Sequence, residues 1–244
     1  MSRRGTPCVA FVCAMPMEAR RVARSLSLRR TVVGGRRGYR GALGTGDAVV
    51  VVTGMGPARA SAGLEALMGE RRPDAVVVAG ICGALEDRMA IGTVVTPAAV
   101  VDGATGREYH PTLLAGLRGA GVLWTSAELI TAPAELAALV ERGVVAVDME
   151  TAAIAAVCEA HGIPWSVVRA VSDRAPDGTV DDEVFTMSRP DGTPDPRAVA
   201  RFVLRHPGRL PQLARMGRDA SRAAAVAADV AARAATSLTA DGDG

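Results

Sequence analysis

The sequence predicts an α/β protein, a three-layer αβα domain built on a mixed, mostly parallel central sheet. Three observations carry this. Short β-branched runs, read as uncharged and apolar on both faces, recur along the chain, as strands do when helices cover both sides of their sheet. Helix-period stretches fall between them, and such alternation marks layered α/β domains. Glycine-rich turns follow two of the strands, where a chain leaves a sheet sharply or lets a ligand approach its backbone.

In chain order, runs at 9–14, 48–52, 75–78, 93–95, 144–147 and 166–171 read as strands. Stretches 17–26, 58–68, 134–140 and 152–161 read as helices. The last is stopped by Gly162-Ile163-Pro164, glycine just past the end and proline beyond it. Residues 39–43 and 47–52, joined through Gly44-Thr45-Gly46, read as an antiparallel hairpin, which makes the sheet mixed. Pro194-Asp195-Pro196 can open a helix to about Arg205, His206-Pro207-Gly208 breaks it, and 210–235 can form a long Ala/Arg helix. No linker divides the chain. It reads as one domain over 1–238, with 189–238 a C-terminal helical extension and 239–244 a disordered tail.

Composition narrows the function. At 244 residues and 49% hydrophobic, the chain can bury a sizeable core. A net charge of +2 indicates no nucleic-acid partner. Every basic residue is arginine, which reads as codon bias for most of them rather than as a set of anion ligands. Cys8, Cys13, Cys82 and Cys158 lack metal-ligand spacing and read as buried hydrophobes in a reducing compartment. Neither metal nor cofactor is expected. The apolar run 8–17 is broken by Pro16 and followed by Glu18 without a cleavage site, so no signal peptide is expected. No run approaches the roughly 18 residues of a membrane span, and the expected location is cytoplasmic.

The chemistry is concentrated in Val147-Asp148-Met149-Glu150-Thr151 and Val171-Ser172-Asp173, with Glu18 just after the first strand. Each acid alone has a structural explanation, as a helix-start charge or a loop cap. Together they stand at the ends of three apolar strands, and strand ends in such sheets converge on one crevice. Paired carboxylates facing one small molecule are what glycosidic cleavage requires. Thr53-Gly54-Met55-Gly56 could cradle an anion or a ribose with backbone N–H groups, or be a tight turn only; Arg59 replaces the third glycine of a dinucleotide fingerprint. Ala79-Gly80-Ile81-Cys82-Gly83 could likewise admit a ligand close to the backbone. His110, His161 and His206 have no catalytic context, and no serine elbow or zinc signature is present.

These motifs, with Cys13-Ala14-Met15-Pro16-Met17-Glu18 and Thr151-Ala152-Ala153, resemble the purine nucleoside phosphorylase/methylthioadenosine nucleosidase superfamily over about residues 8–173. The segments 188–195 and 206–211 are similar to its hopanoid-associated phosphorylase branch. The resemblance implies a nucleoside phosphorylase-like fold and cleavage of the N-ribosyl bond of an adenine nucleoside, of adenosylhopane type. Asp173 would protonate the purine at N7, Glu150 would bind the ribose hydroxyls, Met149 would pack on the sugar, and Glu18 would activate water. Ser172, Gly54, Ile81, Cys82, Gly83, Leu129 and Ile130 would line the substrate site. The nucleosidases carry serine at the position of Ile81, so the nucleophile site must differ here.

Glu18 favours water over a phosphate dianion, which a carboxylate repels. Arg20, Arg21 or Arg59 would hold phosphate if the reaction were phosphorolytic. Hydrolysis is slightly preferred. The alternatives are a methylthioadenosine/S-adenosylhomocysteine nucleosidase, a purine nucleoside phosphorylase, and a nucleoside-binding sensor without turnover. The resemblance also implies a homodimer or larger homo-oligomer. Residues 202–204, 210, 213 and 216, interleaved with arginines, could give a cationic-rimmed apolar surface for peripheral membrane contact, or pack on the core or on a second subunit.

Overall fold

A computed structural model describes residues 6–86, 88–178 and 180–240. Strand β1 (Cys8–Cys13), buried throughout, pairs parallel with β4 (Gly46–Val52) on one side. From β4 the sheet runs antiparallel through β3 (Arg36–Leu43) to β2 (Arg29–Val33). On its other side β1 pairs parallel with β5 (Ala75–Ala84), but only over residues 75–78. The far end of the same edge of β5, Gly83 and Ala84, pairs antiparallel with β10 (Val144–Asp148). Parallel strands β9 (Val122–Thr125) and β7 (Ala99–Asp102) follow, then β8 (Glu108–Tyr109). Strand β11 (Trp165–Arg174) runs parallel along the opposite edge of β5, with β6 (Val94–Val95) beside it.

One edge of β5 is therefore divided between two partners. Residues 79–82 lie in the gap, where β1 has ended and β10 has not begun. This gap is the origin of the site.

The period-2 pattern of β1 sets the layers. Cys8, Ala10 and Val12 pack with Ala60, Leu64 and Leu67 of α2 (Pro57–Glu70) and Ile154 of α4 (Thr151–Ala160). Val9, Phe11 and Cys13 face Ala19, Val22 and Ala23 of α1 (Pro16–Ser25) and Ala228, Ala231 and Ala235 of α7 (Leu210–Ala235). Proline stands in the first turn of α1, α2, α3 (Pro133–Glu141) and α6 (Pro196–Arg205), where its fixed φ suits the helix and its missing N–H leaves no bond unmade. Short helices α5 (Asp182–Phe185) and α8 (Ser237–Ala240) complete the order.

The C-terminal part differs from expectation. Helix α7 is not an extension: its alanines Ala223, Ala224, Ala227, Ala228, Ala231, Ala232 and Ala235 are buried against the domain and supply part of a layer. Alanine lets the helix axis approach β5, β11 and α1 closely, while Arg215 and Arg218 stay exposed. The tail does not start at 239 either. Thr239 is buried within α8, and its carbonyl accepts a hydrogen bond from Thr45 Oγ1; residues 241–244 lie outside the described residues. Among the described residues no helix is long and apolar enough to cross a membrane.

Candidate active site

The gap beside residues 79–82 opens into a cavity of about 270 Å³. Glu18, Glu150 and Asp173 all line it, together with Ile81, Cys82, Gly83, Leu129, Ile130, Met149 and Ser172. These residues come from five separate parts of the chain, and the divided edge of β5 is what lets them meet.

Glu18 is 2% exposed. It lies in the first turn of α1, and its Oε2 accepts from the Met15 N–H at 2.8 Å, closing the helix start. Its Oε1 accepts from the Ile81 N–H at 2.9 Å. That N–H belongs to the unpaired stretch of β5, so a carboxylate takes the place of a missing strand. Burial pushes the Glu18 carboxyl above its ordinary range, opposed by Arg169 and by these backbone donors. Gly80 is required here: a Cβ at that position would stand 2.4 Å from Glu18 Oε1 and 2.6 Å from Arg169 Nη1.

Glu150 stands at the N-cap of α4 but does not cap it. Asp148 does that work, accepting from the Thr151 N–H at 3.1 Å. Glu150 is left to reach across the cavity, where its Oε1 accepts from the Gly56 N–H at 2.8 Å. Burial raises its pKa to about 7, against the attraction of Arg169. Asp173 lies at the end of β11, beyond a register shift between Val171 and Asp173 that re-aims the strand end. Its Oδ1 accepts from Ser172 Oγ at 2.6 Å. Burial raises its pKa, and the Ser172 hydrogen bond opposes the rise. Gly83 keeps the space before it open, since a Cβ there would lie 3.2 Å from Asp173 Oδ2.

The sequence reading missed Arg169. It sits in the strand run 166–171, and among the described residues it is the largest fully buried side chain. Its Nη2 donates to Asp148 Oδ2 and, at 3.0 Å, to Thr151 Oγ1, and lies 3.7 Å from Glu150 Oε2. Its Nη1 donates to the Ile81 carbonyl at 3.3 Å. Thr125 Oγ1 holds the other Asp148 oxygen at 2.7 Å. A lone basic residue in an apolar strand, four residues before an acid, was the available signal. Glu18, Asp148 and Glu150 stand around the buried Arg169 guanidinium, while Arg174, which also lines the cavity, is paired with Asp177.

Three proposed anion ligands are elsewhere. Arg20 is exposed on α1. Arg21 Nη2 donates to Ser221 Oγ of α7 at 2.7 Å, tying two helices together. Arg59 lines a different hollow, as does Gly54. The loop 53–56 cannot cradle a ligand with its N–H groups, because all four are spent: on Cys13 O, Ala14 O, Pro190 O and Glu150 Oε1. The loop positions Glu150 instead.

A profile described as the phosphorylase superfamily matches residues 9–119 and 119–204. The chain belongs to this superfamily. Among the superfamily's curated relatives, the 5'-methylthioadenosine/S-adenosylhomocysteine nucleosidase of Shewanella sp. (strain W3-18-1) is 28% identical over 198 residues, covering 68% of this chain and 86% of that protein. The corresponding nucleosidase of Shewanella baltica (strain OS185) is 29% identical over 198 residues, covering 68% and 84%. The fold matches that of the Neisseria meningitidis nucleosidase solved with methylthio-immucillin-A, at a TM-score of 0.71, 19% identity and coverage of 95% and 99%. It also matches Helicobacter pylori futalosine hydrolase, at a TM-score of 0.68, 14% identity and coverage of 91% and 94%. This member of the phosphorylase superfamily is a glycosyl-bond-cleaving enzyme.

Proposed function

We propose that the enzyme hydrolyses the N-ribosyl bond of an adenine nucleoside. The observation that carries this reading is that Glu18, Glu150 and Asp173 surround one cavity whose fully buried cation, Arg169, is already engaged by Asp148 and Glu150. Cleavage builds positive charge on the ribosyl carbon and negative charge on the departing purine. Asp173, its pKa raised by burial, is the group that gives a proton to the purine at N7. Glu150 accepts from the ribose hydroxyls and stabilises the oxocarbenium-like transition state. Met149 packs on the sugar, and Leu129 and Ile130 meet the base.

The two oxygens of Glu18 are held by the Met15 and Ile81 N–H groups. The carboxylate orients a water and takes its proton as the water attacks the anomeric carbon. A phosphate dianion in that position would face the carboxyls of Glu18 and Glu150, with both terminal nitrogens of Arg169 already spent on protein groups, which is why water is the preferred acceptor. Ile81 offers no hydroxyl, but its N–H fixes Glu18 and its carbonyl holds Arg169.

An adenosylhopane-type nucleoside is the favoured substrate. Apolar residues of the C-terminal half, Val180, Phe185, Met216 and Ala220, line the cavity and suit a greasy 5′ substituent. Leu204, 83% exposed between Arg201 and Arg205, gives peripheral contact with an anionic lipid surface. Assembly as a homo-oligomer belongs to the same proposal. A methylthioadenosine/S-adenosylhomocysteine nucleosidase is the second reading, favoured by the names of the curated relatives. Adenine release from adenosylhopane, methylthioadenosine and S-adenosylhomocysteine, measured with and without phosphate, tests both. Release at equal rates without phosphate, fastest from adenosylhopane, is expected. A phosphate requirement with a sugar 1-phosphate product would overturn hydrolysis, and faster release from the thioether nucleosides would overturn the lipid substrate.

A further inference from the structure

On the outer side of the 53–56 loop lies a second hollow of about 320 Å³, lined by Arg36, Arg37, Arg59, Gly54, Pro190 and Asp191 among others. It shares no lining residue with the catalytic cavity. Arg36, which opens β3, is fixed by donating from Nη1 to the Thr53 carbonyl at 2.8 Å, leaving its other donors unspent. Neither Arg37 nor Arg59 has a side-chain hydrogen bond or ion pair among the described residues. The stem of Arg59 lies directly on Gly54: a Cβ on that glycine, whose φ is +93°, would stand 2.9 Å from Arg59 Cδ. The missing side chain at Gly54 thus makes room for an arginine, not for a ligand of the catalytic cavity.

Three guanidiniums share the hollow with one carboxylate. Asp191 is committed to Thr193, accepting from its N–H at 3.0 Å and its Oγ1 at 2.6 Å. The formal balance is two positive charges in a concave wall, which focuses the field on whatever enters. The N-terminal end of α2 lies beside Arg59, but its Gly56 N–H is taken by Glu150 Oε1 from the cavity side, so the guanidiniums carry the positive charge of the hollow. Planar guanidinium forks match the tetrahedral oxygens of phosphate, and a dianion would balance the charge of the hollow.

We propose that the hollow formed by Arg36, Arg37 and Arg59 binds a phosphate dianion, free or as the terminal group of an ester, separately from the nucleophile position of the reaction. The site stands whether or not the hydrolytic reading does, because it adjoins the chemistry without joining it. A groove lined by Met55, Arg59, Met149, Phe185 and Pro190 leads from the catalytic cavity toward it. An esterified phosphate could therefore be part of an extended ligand.

Isothermal titration of the full chain with inorganic phosphate, and separately with ribose 5-phosphate, tests the assignment. One equivalent of either ligand is expected to bind, and the R37Q/R59Q double variant is expected to bind at least about tenfold more weakly. Both side chains are exposed, so the variant should melt with the wild type, and R20Q should bind like the wild type. Tighter binding of the ester identifies an esterified source, and tighter binding of the free ion identifies inorganic phosphate. No heat from either ligand at millimolar concentration, unchanged binding by R37Q/R59Q, or equal weakening by R20Q would overturn the site. Adenine release is read in a separate assay, so failure of the catalytic reading leaves this result distinct.

Discussion

The two sides of the 53–56 loop handle charge in opposite ways. On the inner side, charged groups are buried and held by one another: Glu150 by Gly56, Glu18 by Met15 and Ile81, Arg169 by Asp148 and Thr151. On the outer side, Arg37 and Arg59 stand exposed, with no hydrogen bond or ion pair to their side chains among the described residues. The inner set spends both terminal nitrogens of Arg169 on its own groups, with only the buried Nε left without a partner among the described residues, and its acids face the cavity. Such a set suits a substrate that becomes positive as it reacts. The outer set keeps its donors, which suits an anion that arrives already charged. One loop, with every N–H spent on protein acceptors, forms the wall between them.

The largest expected effect comes from removing the inner proton donor. Asp173→Asn keeps the shape and the Ser172 partner but cannot protonate the purine, and kcat for adenine release should fall about 10³-fold with KM little changed. Turnover at the wild-type rate would remove Asp173 from the chemistry. Next is Arg169→Met, which leaves Asp148 and Glu150 buried without their cation. Breaking a buried ion pair from one side costs about 3–5 kcal/mol, read as a lower midpoint in urea unfolding. A variant as stable as the wild type would mean that the inner charges do not depend on one another, and the contrast between the two sides would fail. Gly80→Ala should follow, at about 1–3 kcal/mol, because the added methyl overlaps both Glu18 and Arg169.

How far this contrast was legible in the sequence depends on what each residue does to its neighbours. The apolar strands and proline-opened helices were readable because their patterns are local, and the three acids stood out at strand ends. Strands β2, β7, β8 and β9 are not legible in the sequence because they are short or half-exposed. The gap along β5 is invisible for a different reason: it is set by where β1 ends relative to β10, strands far apart in the chain. Arg169 was lost in a β-branched run, since nothing local shows that a buried guanidinium will meet Asp148 and Thr151. The arginines next to Glu18 in sequence do not reach the cavity because Arg20 is exposed to solvent and Arg21 turns to Ser221 of α7. Arg59 joined Arg36 and Arg37 only through the fold.

The smallest expected effect is also the finest test of the inner side. Glu150 is pushed above its ordinary range, to about 7, chiefly by burial. A carboxyl with a raised folded-state pKa binds a proton that the unfolded chain releases near its ordinary value. Its contribution to stability is therefore full at low pH and is lost as pH rises from about 4.5 through about 7. Glu150→Gln removes that loss while its amide oxygen can still accept from Gly56. The difference in melting temperature between the variant and the wild type should then move in the variant's favour between pH 5 and pH 8, by a few degrees. A difference independent of pH would mean that Glu150 stays ionised at little cost. In that case the arginine and backbone donors would already balance the cavity, and its preference for a positive transition state would have to come from Glu18 alone.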